Sequence, residues 1–101
     1  MALTDQPYLP LYVDDWMNNN KLKVCSLASH GLMATIMCIM HKEPSYGRIL
    51  LKQKFKQTGK QINDFALQLA RQSSFDLLEL LPALEELLSE EVLIIEEDFL
   101  V

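Results

Sequence analysis

The chain has 101 residues, half of them hydrophobic and 23% charged, with 14 acidic against 9 basic side chains and a net charge of -5. That length fits one domain around one core, and the composition is globular rather than disordered. No apolar run approaches the roughly 20 residues of a membrane span, no secretory leader opens the sequence, and Cys25 and Cys38 are too few for a disulfide scaffold. A reducing cytoplasm with no membrane partner is expected.

The acidic total speaks against nucleic acid, which is held largely by Lys and Arg on phosphates. The charge is divided along the chain, however. Residues 1–15 carry a net -3; residues 16–72 hold all nine basic side chains for a net +7; residues 73–101 hold nine acidic and no basic ones for a net -9. A binding surface feels local potential rather than the total. Two solvated faces of an ordinary domain produce the same pattern, so that reading stays open beside the functional one.

The opening PYLPLYVDDW (7–16) has two prolines and alternating Tyr8, Pro10 and Tyr12, which suits an extended arm. Trp16 and the tyrosines are expected to anchor it to the core. Asn18-Asn19-Asn20 reads as a turn. From Ser26, a suitable N-cap, to about His41 runs the first long helix. It is apolar almost all round, with stripes of Leu32, Ile36, Ile39 and of Met33, Met37, Met40. Its polar face shrinks to Ser29, His30 and Thr35, which implies burial at the centre of a small domain or a face shared with a partner. Gly31 inside it suggests close approach of another backbone. Pro44 ends the helix.

Tyr46–Leu51 (YGRILL) is a strand candidate, and the lysine-rich KQKFKQTGKQ (52–61) a loop. Ile62, Phe65, Ala66, Leu69 and Ala70 recur at helical spacing and predict an amphipathic helix over about 61–72. Asp76 with Glu79 resembles a capping box opening a third helix, about 77–90. Six leucines (77, 80, 81, 84, 87, 88) face inward there and Glu79, Glu85, Glu86 and Glu90 outward. Pro82 inside it predicts a kink or restart. Val92–Ile95 is then a strand, Glu96-Glu97-Asp98 a tight turn and Phe99–Val101 a returning strand. The hairpin stops at the last residue, so the chain reads as the front domain of a longer protein.

Helix, strand, helix, helix, strand, turn, strand is the order of a winged helix. The expected fold class is α+β, mostly α: three helices with a small antiparallel sheet over 25–101, preceded by an extended N-terminal arm over 1–24. The C-terminal stretch LPALEELLSEEVLIIEEDFLV (81–101) has the rhythm of that fold, and PYLPLYVDDWMNNNKL (7–22), CSLASHGLMATIMCIMHK (25–42), YGRILL (46–51) and FALQLARQ (65–72) resemble the N-terminal domain of phage and prophage replication-initiation proteins, the replisome-organiser or DnaD-like group. The resemblance covers nearly the whole chain, through packing signatures rather than catalytic motifs. It implies a non-catalytic module in the bacterial host cytoplasm that binds origin DNA, self-associates, or meets replication proteins such as a helicase loader. Two positions depart from that pattern: the glycines usual after the third helix and in the wing are replaced by Glu91 and Glu97. Gly is favoured at such places because positive φ is cheap without a Cβ.

A winged helix ordinarily lays its third helix in the major groove. Here that helix has an acidic outward face, which would meet phosphate with like charge. The DNA-binding candidates are instead Arg48, Lys52, Lys54, Lys56 and Lys60, with Lys52, Lys54 and Lys56 pointing one way if the segment is extended. Phe55 among them either stacks on a base or anchors the loop. Glu79, Glu85, Glu86, Glu90, Glu96 and Glu97 are the candidates for binding a basic partner. The alternatives are an interaction or oligomerisation domain without DNA contact, and a transcriptional regulator.

Cys38 and His41, three apart on a helix, are two ligands where structural zinc wants four, so a core cysteine and a surface histidine are expected and no metal or cofactor. Phosphate-loop, dinucleotide, zincin and nucleophile-elbow patterns are absent. The paired glutamates lie on expected exposed faces, where nothing separates their pKa values. An enzyme is not expected.

Overall fold

The computed structural model describes residues 11–45 and 47–101. In chain order these form α1 (Val13–Asn18), α2 (Asn20–Lys23), α3 (Leu27–Lys42), β1 (Ile49–Leu50), a 3-10 turn (Gln53–Phe55), α4 (Gln61–Ser73), α5 (Leu77–Ser89), β2 (Ile95–Glu96) and β3 (Phe99–Leu100). The architecture is α+β, mostly α, with a winged-helix-like layout. Tyr8, Pro10 and Tyr46 lie outside the described residues.

The N-terminal stretch differs from the arm expected there, because residues 13–18 and 20–23 are helical. Asn19 breaks the two helices apart in an extended conformation and caps α2, its Oδ1 accepting from the N–H groups of Lys21 and Leu22 at 3.0 and 3.1 Å. Asp14 and Asp15 in the first turn of α1 suit the positive end of its dipole. Trp16 packs against the core as expected, with its ring edge-on to His30 at 6.2 Å. Tyr12 anchors nothing, being 76% exposed.

α3 begins where the cap residue places it. The Ser26 hydroxyl accepts from the Ser29 N–H at 3.2 Å, and the helix stops at Glu43, which precedes Pro44 and is extended. Leu32, Ile36 and Met40 point into the core, where they meet Phe65, Ala66 and Leu69 of α4 and Leu80, Ala83, Leu84 and Leu87 of α5. The polar face expected on α3 is wrong at Ser29, which is fully buried. At Gly31 no backbone comes close, and an added Cβ would meet nothing within 4 Å.

α5 runs unbroken from Leu77 to Ser89 through Pro82, so there is no restart. The proline ring is exposed, and burial of Leu80, Leu84 and Leu87 offsets the roughly 3 kcal/mol that an interior proline costs. Asp76 caps the helix through the Leu78 N–H at 3.1 Å, one residue short of the capping-box partner. The helix closes in a Schellman arrangement: Glu91 N–H donates to Leu88 O and Val92 N–H to Leu87 O, at 3.1 and 2.9 Å. Glu91 has φ 59° and Glu97 φ 55°. Both positions where the sequence departs from the usual glycine thus demand a left-handed backbone, and glutamate adopts it.

That termination uses up residues 90–93, so β2 begins at Ile95 rather than Val92. Glu97 and Asp98 form the turn, and β3 pairs antiparallel with β2 (Ile95 with Leu100, Glu96 with Phe99) and with β1 (Ile49 with Leu100, Leu50 with Phe99). The order is β1-β3-β2. The far edge of β1 is closed by a side chain instead of a strand. Buried Gln68 accepts from the Lys52 N–H at 2.8 Å and donates to Leu50 O at 2.9 Å, as a fourth strand would.

Candidate nucleic-acid and partner surfaces

The basic candidates sit on one stretch that α4 holds in shape. The residues 53–55 form a 3-10 turn, which overturns the extended geometry expected to align Lys52, Lys54 and Lys56. Phe55 is half-buried against the core, so it anchors the segment. Beyond it, Asp64 is buried and collects the N–H groups of Gln57 and Thr58 at 3.2 and 3.0 Å and the Thr58 hydroxyl at 2.8 Å. The Thr58 N–H, with smaller help from its hydroxyl and the Gln57 N–H, holds the Asp64 carboxyl below its usual pKa against the opposing effect of burial.

The five cations differ in what they touch. The Arg48 guanidinium lies over the Phe99 ring, 4.2 Å from its centroid, and Lys54 Nζ lies 5.3 Å from the Phe55 centroid. Lys56 is joined to Asp98 of the wing at 2.7 Å, which commits it internally. Lys52 and Lys60 are exposed. Arg48 and Lys52 border one hollow of about 190 Å³ with Pro44, Leu50 and Phe99. Lys42 and Lys52 border a second, of about 490 Å³.

Among the acidic candidates Glu86 is turned inward, against the outward face expected for it. Its Oε1 accepts from the Ser26 N–H at 2.7 Å and from the Ser29 hydroxyl, which also approaches Ala83 O at 3.2 Å. The Ser29 hydroxyl first and then Ser26 hold the Glu86 carboxyl below its usual pKa, with the nearby His30 adding to the effect. Glu86 thereby caps α3 from a different helix, about sixty positions away in sequence. Burial, with the charges of Glu86 and Glu90 behind it, pushes the Cys25 thiol upward. Glu79, Glu85, Glu96 and Glu97 are exposed, and Glu90 is half-buried. Gln61 Nε2 donates to the Glu97 carbonyl, which ties the wing tip to the start of α4.

The expected roles of Cys38 and His41 are reversed: Cys38 is exposed and His41 buried. Position 38 falls with Gly31 and Ala28 on the open side of α3. No group of three or more His, Cys, Asp or Glu among the described residues is placed to hold a metal ion. No helix among them is long and apolar enough to cross a membrane.

Sequence reasoning did not identify Ser29, Asp64 or Gln68 as positioning residues. Asp64 carried a local signal, since it follows Thr58 by six residues across a glycine turn. Ser29 and Gln68 carried none beyond being polar on an apolar helical face.

Neither a protein-family model, nor a curated protein, nor a solved structure matches this chain.

Proposed function

We propose that this chain is a non-catalytic winged-helix module of a phage replication-initiation protein, working in replisome assembly and touching DNA by its basic flank rather than by α5. The observation that carries this reading is the surface of α5. The helix that such a layout would offer to a groove exposes Leu78, Glu79 and Glu85 and carries no Lys or Arg. A helix of that kind repels phosphate and suits a protein surface. Arg48, Lys52, Lys54 and Lys60 supply the local positive potential, and the likeness of the four sequence stretches to replication-initiation proteins supports the biological setting. The wing supports the same division, because Glu96 and Glu97 are exposed and Asp98 already holds Lys56.

The test is a salt titration of binding to duplex and single-stranded DNA. Affinity should fall steeply with salt, and replacing Lys52, Lys54 and Lys60 by Ala should weaken binding and reduce the salt slope by up to about three units. Absence of binding at low salt would remove DNA contact and leave an interaction domain. That second reading is favoured by one further observation, the exposure of Leu27 and Leu78 at 91% and 83%.

A further inference from the structure

We infer that the free edge of β2 takes up an extended, basic segment of another protein as an added strand. The inference deepens the assembly half of the function proposed above and rests on that half, but neither on α5 nor on the basic flank.

The two edges of the small sheet end differently. In the order β1-β3-β2 the outer edge of β1 is closed by Gln68, which takes the Lys52 N–H and the Leu50 carbonyl. The outer edge of β2 has no such closure among the described residues. Ile94 and Val101 exchange both backbone bonds across the β2–β3 ladder, at 3.1 and 2.8 Å. Bonded and non-bonded pairs alternate along an antiparallel ladder. Ile95, opposite Leu100, therefore turns both its N–H and its carbonyl away from β3. A donor and an acceptor on one residue of a sheet edge are what an incoming strand pairs with. β2 also lacks the proline that blunts many edges, and Ile94 just before it is 43% exposed.

The surroundings select the charge of that strand. Glu91, Glu96 and Glu97 are exposed around the edge, and no Lys or Arg follows Arg71 in the chain. A second copy would set its own three glutamates near these, and like charges across a strand pair are destabilising. The occupant is thus a basic segment rather than another β2. Val92 stands three residues before Ile95, at most about 11 Å away. It lines a groove of about 270 Å³ with Trp16, Leu22, Met33 and Met37 and with the exposed Asp15. Flexible methionines suit such a groove to apolar side chains of varied shape. The segment that fits alternates Lys or Arg with apolar residues.

Amide shifts and amide exchange of the chain test this, on adding a short blocked peptide of alternating lysine and valine at low salt. Shifts are expected at residues 93–96, with slower exchange of the Ile95 amide and weaker binding as salt is raised. The same peptide with glutamate for lysine should not bind. Methylating the peptide's backbone nitrogens keeps its charge and removes its donors, and should weaken binding at least tenfold. Ile95→Pro removes the outward N–H and leaves the ladder bonds at Ile94 and Glu96 in place. It should weaken peptide binding as much, with DNA binding unchanged. Absence of shifts at residues 93–96 at millimolar peptide overturns the proposal. Binding indifferent to methylation also overturns it, being charge attraction alone. Residues 77–89 and the basic flank are read separately in the same spectra, so failure at the edge and failure of the proposed function are distinguishable.

Discussion

α4 and α5 lie side by side over the same core, and each clamps a different part of the chain with polar side chains turned inward. α4 uses Asp64 and Gln68 to hold the neighbouring segment from Leu50 to Thr58. α5 uses Glu86 to hold the start of α3, almost sixty residues away. The consequence for the surface is opposite in the two cases. α4's clamps fix the backbone of the lysine-bearing stretch, so its cations are displayed from a shaped loop. α5's clamp turns one half-buried carboxylate inward and leaves a helix whose exposed charged groups are glutamates. Position in a fold does not decide which helix meets phosphate; the charge left over after internal needs are met does.

The largest effect is expected where the two helices share a core. Phe65 is fully buried beside Asp64, and Phe65→Ala should cost about 3–5 kcal/mol in denaturant unfolding. Both clamps should loosen together, seen as faster amide exchange at Thr58 and at Ser29. Gln68→Leu breaks only the α4 side. It leaves the Lys52 N–H and Leu50 carbonyl without their partner and should cost about 1–3 kcal/mol, with exchange quickened at Lys52 while Ser26 and Ser29 stay protected.

Glu86→Gln breaks only the α5 side, and its signature is pH. The Glu86 carboxyl is held below its usual pKa. Its contribution is complete above the unfolded-state value and disappears as pH falls through the folded one. Thermal unfolding from neutral to acid pH should show wild-type stability declining in that window. The decline should be shallower in Glu86→Gln, though not abolished, because Asp64 is lowered as well. Glu85→Gln, on the exposed side, should leave the profile unchanged. The smallest effect concerns the wing. Glu97→Gly relieves a left-handed glutamate at some entropic cost and should raise stability by about 0.5–1 kcal/mol.

The three long helices were legible because each carries its own boundary: Ser26 and Pro44 for α3, the spacing of Ile62 to Ala70 for α4, Asp76 for α5. The left-handed backbone at Glu91 and Glu97 could also be read, since a short helix-to-wing connection demands it whatever the residue. What could not be read depends on partners distant in sequence. Nothing near Glu86 says that it meets Ser26 and Ser29, so periodicity assigned it to solvent. Nothing near Gln68 says that a strand edge needs an amide. The helices at 13–18 and 20–23 were hidden by the prolines just before them, while Asn19 supplied the cap that starts the second.

The claim that the basic flank meets DNA and α5 does not is tested most directly by backbone amide shifts on adding short DNA at low salt. The account predicts shifts confined to the neighbourhood of Arg48, Lys52, Lys54 and Lys60, vanishing as salt is raised, with residues 77–89 unmoved. Shifts centred on α5, with the basic flank silent, would contradict it.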